Sequence, residues 1–235
     1  MHKPKTLFTL VFLLAGIITF AQSNSKGKMS DRQIDQLNSE RQIKQLKNGF
    51  LLVRLHTRQP LINALNANNR QEEAKQIEIE QRNKNVEIMK AFRLYFDFCP
   101  TYFFYSNDSE KIKQENTSAV TYVDSTGTRN EDIKLPNQTF YIAEFALVKK
   151  DTATFQDRPY LVETENGLEQ HNRTEGGGNF GFEALVFKSP QFYQLRRPFP
   201  YYSRTLQSLP IFRRSFKRVI QRANEALHYY YNKVY

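Results

Sequence analysis

The chain has 235 residues, 34 Lys and Arg against 24 Asp and Glu for a formal net charge of +10, 13 Tyr and 19 Phe, no Trp and one Cys. That length supports one domain with a sizeable core, or one domain with a helical extension. A single cysteine excludes an intrachain disulfide framework. The charge is concentrated at one end. From Arg196 onward nine cations face only Glu225, an excess of eight, and the stretch from Gln22 to Leu195 is close to neutral.

Residues 1–21, MHKPKTLFTLVFLLAGIITFA, combine Lys3 and Lys5, an apolar run from Leu7 to Phe20 and a Thr-Phe-Ala ending. This is the pattern of a cleavable export signal. The run is shorter than the roughly 20 residues a spanning helix needs. The expectation is a periplasmic or secreted protein, cleaved near Ala21, with no transmembrane span in the mature chain. The polar stretch 22–29 reads as a flexible lead-in.

Ser30 to Gln33 matches a capping box. Ile34, Leu37, Ile43, Leu46, Phe50 and Val53 then recur at helical spacing, predicting a helix over 31–57 with Gly49 as a soft spot and Pro60 as its end. A second helix is predicted over 70–95 from Ala74, Ile77, Ile88, Met89, Phe92 and Tyr95. Joined by a short polar link, the two suggest an antiparallel helical hairpin occupying 30–96.

The period changes after residue 96. TYFFYS reads as a strand, and NDSEKIKQ as a short helix capped by Asn107, Asp108 or Ser109. AVTYV, the apolar 139–148 run TFYIAEFALV, FEALVF and QFYQL are further strands, and YLVETENGLEQH is a hairpin about Asn166-Gly167. The final helix, 208–233, would be capped by Ser208, with Pro210 in its first turn. It gathers Phe216, Val219, Ile220, Ala223, Leu227 and Tyr230 on one side and Arg213, Arg214, Lys217, Arg218 and Arg222 on the other. The predicted fold class is α+β: a helical hairpin, a mixed or mainly antiparallel sheet of about five to seven strands over 97–235, and an amphipathic basic helix packed on it.

Chemistry is harder to find. The segment DFCPT resembles the peroxidatic segment of peroxiredoxins in Cys99, Pro100 and Thr101. It departs from that pattern in having Phe96 where a Thr belongs, no Pro within 89–96, and a helix before the cysteine with a strand after it. With Asp97 as its nearest charge, Cys99 is expected to be a buried core thiol rather than a reactive one. Gly176, Gly178 and Gly181 spell G-x-G-x-x-G without the strand and helix that phosphate cradling requires, and read as a loop. Glu169, His171 and Glu175 form a polar loop cluster rather than a metal site. No catalytic, metal or cofactor residues are assigned. Glu144 interrupts an apolar strand and must face solvent or be held by a partner such as an arginine.

Two functions remain. One is a non-catalytic envelope protein that meets an envelope protein or an anionic surface, lipid head groups or polysaccharide, through Arg196, Arg197, Arg204, Arg213, Arg214, Lys217, Arg218 and Arg222. Nucleic acid is not an expected partner of an exported chain. The other is a hydrolase-like enzyme whose carboxylates, Glu144 and Asp97 foremost, converge only in the fold.

Overall fold

A computed structural model describes residues 30–124, 126–148, 160–164, 167–171, 182–206 and 214–235. Helix α1 (Asp31–Asn48) opens with the expected capping box: the Ser30 hydroxyl accepts from the Gln33 N–H, and the Gln33 side chain accepts from the Ser30 N–H. It stops at Gly49. There the chain enters a strand, β1 (Phe50–Leu55), instead of continuing as a helix to residue 57.

Gly49 explains the switch. A Cβ there would lie 1.9 Å from the Thr139 carbonyl oxygen, so only glycine lets the chain pass this close to its neighbour as it enters the sheet. Helices α2 (Gln59–Ala67) and α3 (Gln71–Tyr95) then carry the chain to β2 (Thr101–Tyr105), which pairs parallel with β1. The helix pair that packs together within 30–96 is therefore α2 with α3, which share the small cluster Ile62, Leu65, Ala74 and Ile77. The pairing of 31–57 with 70–95 does not form.

A 3-10 turn at Ser106–Asp108 leads into α4 (Ser109–Lys113), succeeded by the short strands β3 (Tyr122–Val123) and β4 (Arg129–Asn130). Strand β5 (Phe140–Leu147) runs parallel to β1 on the side away from β2. β6 (Tyr160–Thr164) and β7 (Gly167–His171) pair antiparallel as a separate two-stranded sheet, while Asn166 lies outside the described residues. β8 (Glu183–Lys188) and β9 (Tyr202–Arg204) complete the main sheet, whose order is β4-β3-β2-β1-β5-β8-β9. QFYQL is not a strand. It contributes one isolated bridge, Gln194 to Lys188, and Phe192 takes a left-handed backbone conformation.

The last helix, α5 (Phe216–Val234), is capped by Ser215, whose hydroxyl accepts from the Arg218 N–H at 3.4 Å; Ser208, Pro210 and Arg213 lie outside the described residues. It packs its apolar stripe on the sheet as expected, with Val219, Ile220 and Leu227 fully buried. Strand alternation divides the apolar residues between two faces. Leu51, Val53, Leu55, Tyr141, Ala143 and Phe145 join Ile43, Phe92 and α5 in the larger core. Phe50, Leu52, Phe104 and Ile142 meet Ile112 of α4 with Val120 and Tyr122 on the other face. The molecule is thus α+β with a mixed seven-stranded sheet, and β1, at the heart of that sheet, ties 30–96 and 97–235 into one body.

Candidate functional site

The three parallel strands β2, β1 and β5 place their carboxyl ends along one edge. β1 connects forward to β2 on one side and has β5 on the other, so the strand order reverses about β1. Crevices at such reversals, outside the carboxyl ends, are the recurrent ligand sites of sheets with parallel strands. Two charge clusters and a cleft lie along this edge.

Glu144 of β5 is 1% exposed. Its carboxylate meets Arg54 of β1 at 2.5 Å, Lys188 of β8, and, more loosely, His56 Nε2 at 3.4 Å. Arg54 also donates through Nε to the Ser109 hydroxyl at 2.8 Å, and its guanidinium lies 5.5 Å from the centre of the Phe192 ring. Burial pushes the Glu144 carboxyl upward, but His56, Lys188 and Arg54 outweigh it and hold the group well below the usual carboxylate range. An ionised carboxylate saturated by cations and sealed from solvent cannot reach a substrate. Its role is to bind three strands together. The paired signal was in the sequence: Arg54 in FLLVRL and Glu144 in FYIAEFAL are opposite charges, each stranded in an apolar run.

Asp97 does not join Glu144. It stands between α3 and β2, at the opposite edge, where its carboxylate is 2.8 Å from His228 Nε2 and accepts from Asn224 Nδ2, also at 2.8 Å. These bonds, Asn224 first and His228 second, hold the Asp97 carboxyl below its ordinary value. They fasten α5 to the Phe96–Cys99 turn, because Asn224 Oδ1 also accepts the Asp97 and Phe98 N–H groups. Cys99 is buried, and burial pushes its thiol up to about 12, so it has no thiolate character at neutral pH.

Beside the Glu144 cluster a cleft of about 720 Å³ opens between the ends of β1 and β2 and the helices α2 and α3. Among the described residues its wall contains Arg54, His56, Arg58 and Lys84 but no carboxylate. Two further wall residues, Gln81 and Asn85 of α3, are amides exposed by only 7% and 4%. Gln81 Nε2 donates to Asn85 Oδ1 at 3.0 Å, and Asn85 Nδ2 to the His56 carbonyl at 2.8 Å, which fixes the loop after β1. Thr57 and Asn107 meet across the mouth at 2.6 Å. Nothing in the sequence marked this wall, because Gln81 and Asn85 sit in a helix that reads as polar on most of its surface.

The predicted basic set divides in two. Arg204, Arg214, Arg218 and Arg222 come together where β9 ends and α5 begins: partial burial and the charges of Arg222, Arg218 and Arg204 push the Arg214 guanidinium below its ordinary value. Among the described residues none of these four forms an ion pair with a carboxylate. Arg204 stacks on Phe182 at 4.0 Å, and Phe182 packs on Tyr202. Lys217 turns aside over the Tyr95 ring at 4.8 Å. Arg196 and Arg197 are exposed on the loop beyond β8, where the Arg196 carbonyl accepts from Ser39 of α1. β8 separates them from Arg204 by about 10 Å of strand. Arg213, the glycines of 176–181 and Glu175 lie outside the described residues, as do the side chains of Glu169 and His171.

Fold and edge together define an α+β protein with a cation-lined edge on a mixed sheet. Comparison with known proteins finds no matching family model, no similar curated protein and no similar solved structure. Among the described residues no helix is long and apolar enough to cross a membrane.

Proposed function

We propose that this is an exported, non-catalytic binding module of the cell envelope that meets an anionic surface, lipid head groups or polysaccharide, through Arg204, Arg214, Arg218 and Arg222. The observation that carries this reading is the grouping of four arginines where β9 meets α5: the Arg214 guanidinium donates to the Arg204 carbonyl at 3.2 Å, Arg218 and Arg222 follow one turn apart, and among the described residues none of the four is ion-paired with a carboxylate. A protein that only needed solubility would spread such charges or pair them, since like charges at i, i+4, as in Arg218 and Arg222, oppose folding. Guanidinium forks suit phosphate and carboxylate acceptors, and the stacked Arg204 is held ready to present one. The hydrolase alternative would need Glu144 and Asp97 in one pocket, and they stand at opposite edges of the sheet with their partners already engaged.

The mature chain is tested by cosedimentation with vesicles containing an acidic phospholipid and, separately, with an immobilised uronic-acid polysaccharide. Binding is expected at low salt to at least one, weakening steeply as salt is raised. The triple replacement of Arg214, Arg218 and Arg222 by Gln abolishes it, while Lys90→Gln on α3 leaves it unchanged. Wild-type protein that ignores both surfaces at low salt refutes the reading. Export is tested by the mass of the protein recovered from the envelope fraction, expected to begin at Gln22.

A further inference from the structure

We infer that the cleft between β1, β2, α2 and α3 is a second, separate binding site, for a small polyhydroxylated ring bearing one anionic group, the class of acidic monosaccharides. Size, charge and hydrogen-bonding capacity each narrow the ligand. A volume of about 720 Å³ lies within the range of small-molecule sites. The wall carries Arg54, Arg58 and Lys84, of which Arg54 is committed to Glu144 and Lys84 reaches Glu183 at 3.4 Å. Arg58 has no such partner among the described residues, and stands at the rim on a backbone with φ 54°, a left-handed conformation that favours glycine or asparagine. An arginine held there at local conformational cost is placed to meet an anion.

The remaining wall suits hydroxyl groups. Gln81 spends its Nε2 on Asn85, and its Oε1 has no partner among the described residues although the side chain is only 7% exposed. That amide oxygen opens to the cleft and can accept from a ligand hydroxyl. Thr57, Ser106 and Asn107 add short polar groups on the facing side, and Phe145 and Ile88 give an apolar wall for the carbon face of a ring. Neutral amides and hydroxyls both donate and accept, as a sugar's hydroxyls do, whereas an inorganic anion mainly accepts and leaves the acceptor oxygens of this wall unused.

The inference is independent of the surface-binding reading, because its residues are separate from Arg214, Arg218 and Arg222. The test titrates the mature protein with glucuronate, glucose 6-phosphate, glucose and inorganic phosphate, read by calorimetry and by chemical-shift changes of the Gln81 side-chain amide. Glucuronate or glucose 6-phosphate should bind saturably with a Kd near or below about 1 mM. Glucose and inorganic phosphate should each be at least tenfold weaker. Arg58→Asn, which keeps the left-handed backbone, and Gln81→Leu, which keeps the volume, should each weaken the acidic sugar about tenfold, equal to about 1.4 kcal/mol. Vesicle or polysaccharide binding in these two variants should be unchanged. Glucose binding as well as the acidic sugars, phosphate matching them, both variants binding normally, or no acidic sugar bound at about 20 mM would each overturn the inference.

Discussion

The two charge clusters of the molecule obey opposite rules. Around Glu144, Arg54, Lys188 and His56 gather on a carboxylate that is 1% exposed, and both cations share that one carboxylate. At the start of α5, Arg204, Arg214, Arg218 and Arg222 gather near one another at the surface, with no carboxylate among the described residues ion-paired to them. The first arrangement serves the fold, since breaking a buried pair leaves a charge uncompensated. The second costs the fold a little, and its charges remain available to something outside the chain. Binding capacity is thus marked by what lacks a partner rather than by charge itself.

The largest effect that can break this contrast is Glu144→Gln. It leaves Arg54 and Lys188, with side chains 22% and 17% exposed, facing a neutral amide. The expected loss is about 3 kcal/mol, at the lower end for a broken buried pair because both cations keep some contact with water. A denaturant melt with an unchanged slope and a lower midpoint checks it. Loss below about 1 kcal/mol would mean that this cluster behaves like a surface pair.

Acid gives the second effect. The folded Glu144 carboxyl titrates below its unfolded counterpart, so its contribution is complete above the unfolded value of about 4.3 and is lost as pH falls from about 5 toward the folded value. Asp108, buried on the same sheet edge and held low by Lys111 and Arg129 against its burial, adds in the same direction. Stability should fall by about 2 kcal/mol or more between pH 5 and pH 3. In Glu144→Gln the same interval should show a shallower fall, the remainder coming from Asp108 and from the more exposed carboxyls also held low, Asp97 and Asp124. An identical pH slope in the variant would remove Glu144 from the account.

How much of this could be read from the residues depended on whether the signal was local. Helix α5 and strand β5 were legible because their apolar residues repeat within a few positions, and the basic face of α5 came with them. The segment 50–55 was not: Phe50 and Val53 continue the helical spacing of α1, and only the unbroken run FLLVRL, the mark of a strand covered on both faces, speaks against it. The deciding contact is Gly49 against Thr139, ninety residues away. Losing β1 also hid the crossover through α2 and α3, and with it the edge where the cleft lies. Arg196 and Arg197 share the composition of the basic set but lie beyond the other end of β8 from Arg204, a separation that spacing along the chain does not encode. Among the described residues α5 begins after Ser215, whose hydroxyl meets the Arg218 N–H, while the expected cap at Ser208 lies outside them; both serines stand before apolar-periodic residues, so spacing along the chain does not choose between them.

The smallest effect sharpens the contrast most, because its sign is opposite. Arg218 and Arg222 are one helical turn apart, exposed, and joined by Arg214 at the turn before. Replacing Arg222 by Gln removes its repulsion with Arg218 and Arg214 against only a longer-range attraction to Glu225 at i+3, with which it forms no ion pair, so stability should rise, by about 0.3 kcal/mol at low salt for an exposed like-charged pair. Screening predicts that the gain disappears as ionic strength rises from about 10 mM to about 1 M, where the Debye length shrinks from about 30 Å to about 3 Å. The penalty of Glu144→Gln should barely change over that range, since its partners are packed against it rather than separated by solution. Parallel melts of wild type and the two variants at both salt concentrations measure this. A salt-independent gain in Arg222→Gln would point to helix propensity alone, and the four arginines would then be neighbours without being a field.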